Sequence, residues 1–154
     1  MKTIQQWLSD YGESHQNDTN KTIHWICVPL IFFSIVGLLY SIKLPFEIGG
    51  MQLNVAMIVL ALTTIYYISL SRTLWIGLFL FALLCLWLCY LVEQANFMQL
   101  WLFSVIVFAL AWIGQFYGHK VEGKKPSFLK DIQFLMIGPA WLMSFVYKKL
   151  GIGI

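Results

Sequence analysis

Three histidines, His15, His24 and His119, are the residues of this 154-residue chain best suited to chemistry, and their placement is uneven. His15 and His24 fall in "YGESHQNDTNKTIHW" (11–25) and His119 in "QFYGHKVEGKKP" (115–126), with an apolar bulk between the two blocks. Each has a polar neighbour at helical spacing: Tyr11 and Asp18 about His15, Asn20 before His24, and Gln115 and Glu122 about His119. Residues four apart share a helix face, and a metal-ligating imidazole usually needs a hydrogen-bond partner to fix its tautomer. The "NDTN" between His15 and His24 is a turn and cap former, so a chain reversal there would bring His15 back over His24. Spacing alone admits two readings. The histidines form a shared metal site, or they are amphipathic side chains at a membrane interface.

The elements that must position them follow from the gaps between charges. Only 11% of residues are charged and the mean hydropathy is +0.76. No charge occurs in residues 25–42, 48–71, 73–92 or 94–118, intervals of 18, 24, 20 and 25 residues. About 20 apolar residues cross the hydrocarbon core, and a helix satisfies every backbone polar group within one segment. The expectation is an all-α integral membrane protein, a single membrane domain over 1–154, with four transmembrane helices. A soluble bundle is excluded, because "LWIGLFLFALLCLWLCYLV" (74–92) has no polar face.

Four spans put both termini on one side. That side would carry Lys2, Lys21, Arg72, Lys120, Lys124, Lys125, Lys130, Lys148 and Lys149 against Lys43 alone opposite, so both termini are expected in the cytoplasm, under a bacterial inner membrane or an ER-like one. The net charge of +3 is then a topological feature, and no nucleic-acid partner is implied. Residues 1–24 hold Lys2, Asp10, Glu13, Asp18 and Lys21 and no long apolar run, so no cleaved signal peptide is expected. Ile4, Trp7 and Leu8 suggest a short N-terminal interfacial helix. "KLPFEIGG" (43–50) reads as an outer turn, and "SLSRT" (69–73) and "VEQANF" (92–97) as tight turns. The charge-free run 132–147 is short and contains the breaker Gly138-Pro139, so a re-entrant or interfacial C-terminal helix is expected. Cys27, Cys85 and Cys89 are expected to be packing residues without disulfides.

The pattern Tyr11-x3-His15-x4-Asn20-x3-His24-x4-Pro29 ahead of a first span, closed by "QFYGHKVEGKKP" and Gly138-Pro139, resembles the 2-hydroxy fatty acid dioxygenase family of fungi and its bacterial relatives over essentially the whole chain. The resemblance implies an iron(II)-dependent oxygenase of fatty acid α-oxidation. From a 2-hydroxy fatty acid and O2 it would make the acid one carbon shorter and carbon dioxide. It also implies His15, His24 and His119 as the iron ligands, with Asn20, Gln115 and Glu122 close by in supporting roles. Imidazole suits iron, and an oxygenase needs open positions for substrate and O2. A membrane lipid substrate also gives the histidines' position a purpose, with the acyl tail in the apolar core and the head group at the rim. Lys120, Lys124 and Lys125 are read as topological anchors before carboxylate attractors.

The competing class is a non-enzymatic membrane scaffold or assembly factor whose polar cytoplasmic rim binds a partner protein. It would need no metal and would tolerate His-to-Ala changes. A haem or quinone carrier would place paired histidines inside the spans, and a transporter would need more than Asn54, Thr63, Thr64 and Ser104 at mid-membrane. Nothing in the chain fixes an oligomeric state.

Overall fold

A computed structural model describes residues 2–130 and 132–154. The described residues form six α-helices: α1 (Ile4–Gly12), α2 (Asp18–Tyr40), α3 (Val55–Leu70), α4 (Leu74–Ala95), α5 (Leu100–Glu122) and α6 (Phe134–Lys149). A hairpin of β1 (Lys43–Ile48) and β2 (Met51–Asn54) joins α2 to α3. Among the described residues α2, α4 and α5 are long and apolar enough to cross a membrane, while α3 is a shorter apolar helix of 16 residues. The chain is a membrane protein of helical architecture. Its outer surface shows why: Leu80, Leu84, Trp87, Leu91, Leu110 and Ile113 are all exposed, an arrangement suited to lipid and not to water.

The second charge-free interval is only partly helical. Gly49 and Gly50, at φ +58° and +77°, make the two-residue turn that right-twisted strands favour, and Ile48 pairs with Met51. Asn54 ends the hairpin and caps α3, its Oδ1 accepting from the Met57 N–H at 3.2 Å. The expected helix over 48–71 therefore begins at Val55 and rises only about 24 Å. Residues 43–50, expected as a plain turn, are mostly strand.

Two further elements make contacts that the sequence does not specify. The N-terminal helix has the expected apolar face, and Thr3 and Gln6 close a capping box at its start. That face is covered by protein, however: Trp7 meets Phe134 edge-on at 5.5 Å, and Tyr11 meets Trp141 at 5.4 Å. Nor does Gly138-Pro139 break the C-terminal segment, since α6 runs unbroken through Pro139. The Tyr67 hydroxyl donates to the Met136 carbonyl at 2.7 Å, adding a hydrogen bond in the turn before the proline. Ile137, Gly138 and Ala140 are buried where α6 passes α1, α2 and α4.

The helix pair that matters most for function is α2 with α5, which pack together more extensively than any other elements. Glycines allow it. A Cβ on Gly114 would meet the Cys27 Sγ at 2.6 Å, one on Gly118 the Asn20 Oδ1 at 2.5 Å, and one on Gly37 would collide with Ser104. Gly114-x3-Gly118 is the small-residue spacing that lets membrane helices approach closely. Cys27, Cys85 and Cys89 are buried and unbridged, as expected of packing residues.

Candidate metal centre

His15 lies in the turn between α1 and α2, His24 in the second turn of α2, and His119 in the last turn of α5. The turn folds back as "NDTN" suggests. Asn17 caps α2 by accepting from the Thr19 and Asn20 N–H groups at 2.9 and 3.3 Å, which returns His15 over His24. At the other end Gly123, at φ +74°, terminates α5 just beyond His119. The three imidazoles meet with ring centroids 4.2, 4.9 and 5.0 Å apart. They are only 1, 1 and 4% exposed, and they offer ligand nitrogens all within 4.8 Å of one another.

Their hydrogen bonds fix what those nitrogens can do. His15 Nδ1 lies 2.6 Å from the Tyr11 carbonyl and His24 Nδ1 lies 2.9 Å from the Asn20 carbonyl. A carbonyl only accepts, so both Nδ1 atoms carry the proton and both Nε2 atoms are bare lone pairs. Yet the two Nε2 atoms face each other at 2.8 Å. Two buried lone pairs at that distance need a cation between or beside them. A proton is disfavoured, because burial drives His15 down to about 4 against the pull of the Tyr11 carbonyl. His119 adds a buried Nδ1 with no hydrogen-bond partner among the described residues. This donor set, two imidazoles whose far nitrogens are anchored on carbonyls and a third with an unpartnered buried nitrogen, fits a divalent transition metal.

The partners of the histidines differ from those read off side-chain spacing. His15 and His24 use backbone carbonyls four residues back, so the side chains of Tyr11 and Asn20 are left for other contacts. The Tyr11 ring stacks on His15 at 4.2 Å and 9°. Asp18 takes no part: its side chain is 98% exposed and its contact is Lys21 at 3.5 Å. Glu122 accepts from the Gln16 and Asn17 N–H groups at 3.0 and 2.8 Å and from Asn20 Nδ2 at 3.1 Å. It thus ties the end of α5 to the His15 turn. Asn20 Nδ2 also donates to the Ser14 carbonyl at 3.2 Å, and Lys124 Nζ donates to the Glu13 carbonyl at 2.5 Å. Gln115, one helical turn before His119, is buried beside a cavity of about 250 Å³ that His24 and His119 also line.

Sequence reasoning missed Ser14 and Ser127, buried hydroxyls that touch each other across the turn and the segment after α5; no spacing pairs them. It also missed Gly114-x3-Gly118, which was legible as a close-packing signal.

A sequence model of the family described as 2-hydroxy-palmitic acid dioxygenase Mpo1-like matches residues 1–150. A 2-hydroxy-palmitic acid dioxygenase, MPO1, of Saccharomyces cerevisiae is 28% identical over 152 residues, which cover 96% of this chain and 82% of that protein. No solved structure matches.

Proposed function

The chain belongs to the 2-hydroxy-palmitic acid dioxygenase Mpo1-like family, and from that premise we propose that it is a membrane-resident iron(II) oxygenase that shortens 2-hydroxy fatty acids by one carbon. The observation that carries the reading is the pair of facing, unprotonated Nε2 atoms of His15 and His24, with His119 completing a three-nitrogen set. The net reaction, R–CH(OH)–COOH + O2 → R–COOH + CO2 + H2O, balances without an external reductant. The four electrons that reduce O2 come from C1 and C2 as the bond between them breaks. Bound iron would supply positions at which an α-hydroxy carboxylate and O2 meet.

The protein's own part is positioning and exclusion of water. His15, His24 and His119 hold the metal. Glu122 and Asn20 are positioning residues that fix the His15 turn and, through the Asn20 carbonyl, the His24 ring. Gln115, which lines the cavity with His24 and His119, would offer its amide to the substrate carboxylate, and the Tyr11 ring backs His15. Holding C1 and C2 beside O2 favours cleavage there by proximity. Burial of all three imidazoles favours this over a scaffold that displays a polar rim, since a rim displays nothing at 1–4% exposure.

In the bilayer, α2, α3, α4 and α5 each cross, α3 as the short member accommodated by local thinning. Both termini and the histidines then lie at the cytoplasmic rim, and α6 packs beside α1 at that level. The test is turnover by reconstituted, iron-loaded protein given 2-hydroxypalmitate in air. Pentadecanoate is expected from the wild type and none from His15→Ala, His24→Ala or His119→Ala. Absence of a shortened acid from any 2-hydroxy substrate would overturn the reading.

A further inference from the structure

The cavity that starts at the histidines continues along the length of α2. His24, Val28, Ile31, Ile35 and Leu39 line it in steps of three and four that keep one helix face, and Val36 lines it beside Ile35. Fifteen residues at about 1.5 Å each make a path of about 22 Å. α3 turns back alongside α2 from the hairpin, and its Val59 and Leu60 line the cavity there. The polar groups concentrate at the other end, where Gln115, His119 and Ser127 join His24. Beyond them Thr63 is a hydroxyl partway along, and the end wall is aliphatic. The lining residues follow one another along α2, so the cavity is elongated along that helix.

We infer that this channel measures the substrate's acyl chain, with Val36, Leu39, Val59 and Leu60 forming the floor that sets the longest acid accepted. The inference rests on the 2-hydroxy fatty acid reading above and adds the determinant of chain length. A saturated chain of about 1.5 Å bonds at near-tetrahedral angles advances about 1.25 Å per carbon. The path of about 22 Å therefore holds roughly sixteen to eighteen carbons. A carboxylate anchored at the histidines places the ω-methyl group against Leu39. The floor, not the head site, discriminates between chain lengths, because each added carbon beyond the fit must displace packed side chains.

The experiment compares wild type, Val36→Phe, Val28→Phe and Leu39→Ala on 2-hydroxy acids of about ten to about twenty carbons. It is run alongside displacement of a fluorescent fatty acid by the corresponding unhydroxylated acids, which reads binding without turnover. Val36 lies three residues short of Leu39, so Val36→Phe is expected to lower the longest acid accepted by roughly three to four carbons. Val28→Phe, a single turn from His24, restricts the channel to the shortest acids. Leu39→Ala raises the limit by roughly two carbons. Shifts in opposite directions are not produced by general misfolding. An unchanged length profile in all variants, or a uniform loss at every length, would overturn the channel. If the wild type shortens no acid while the binding cut-off still moves with Val36 and Leu39, the channel stands and the reaction falls. If turnover is seen with no length shift, the reaction stands and the channel falls.

Discussion

Replacing Glu122 with alanine is expected to weaken metal binding without altering any histidine. The Glu122 carboxylate takes hydrogen bonds from the Gln16 and Asn17 N–H groups and from Asn20 Nδ2, at 3.0, 2.8 and 3.1 Å. The first two donors sit at the surface, where water can replace the lost oxygen at small cost. Asn20 is fully buried, and its amide would keep only the Ser14 carbonyl. Hydrogen bonds to a charged group contribute about 1.5–3 kcal/mol when shielded. With two of the three donors exposed, the total lies near the bottom of that range, about 2 kcal/mol. Those donors flank the turn that carries His15, so the loss falls on the geometry of the site. About 2 kcal/mol is roughly a thirtyfold loss of affinity, within the range known for partners that orient metal ligands. Glu122→Gln keeps one accepting oxygen but sets an amide NH2 against a donor, and should fall between wild type and alanine. Anaerobic competition with a chelator measures this. Affinity unchanged in Glu122→Ala, or lowered no further than in Glu47→Ala on the distant hairpin, would refute the clamp.

Gly118→Leu should separate α2 from α5, because its Cβ already meets Asn20 Oδ1 at 2.5 Å; a destabilisation of about 1–3 kcal/mol and loss of stoichiometric metal are expected by thermal unfolding and elemental analysis. Tyr11→Phe keeps the ring stacked on His15, so metal content should remain at the wild-type level, while Tyr11→Ala should lower it. Cys85→Ala and Cys89→Ala should leave turnover intact, and both thiols should resist labelling in the folded protein, since burial pins them 0–1% exposed against α2 and α3. Gly50→Val should destabilise the hairpin, because its φ of +77° excludes a β-branched residue; protease sensitivity at residues 43–54 reports it.

Charge spacing located α2, α4 and α5 because a helix in lipid excludes charge over its length, and Arg72, Glu93 and Lys120 mark the ends. The same rule overran at 48–71. Ile48, Met51 and Leu53 are as uncharged in a hairpin as in a helix, and the turn Gly49-Gly50 was the stronger signal there. The helical spacing of Ile4 and Trp7 was legible, but its partner was not, since nothing in the spacing says that α6 passes unbroken through Pro139 to cover it. Burial of Cys85 and Cys89 followed from their place within an apolar run. The convergence of His15, His24 and His119 was foreseeable from a common end of the bundle and a shared motif. Their carbonyl partners were not, because every residue carries a carbonyl and only the folded backbone aims one. Side-chain spacing thus proposed Asp18, which faces solvent, alongside Asn20 and Glu122, which do join the network.

Anaerobic titration with ferrous iron tests the central claim most directly, run on the wild type and on His15→Ala, His24→Ala and His119→Ala. The facing lone pairs of His15 and His24, with His119 beside them, should take up one ion per chain with histidine nitrogens at about 2.0–2.2 Å by X-ray absorption, and each variant should lose that binding. Iron that fails to bind the wild type stoichiometrically, or that binds all four proteins alike, would contradict the site from which the proposed chemistry is built.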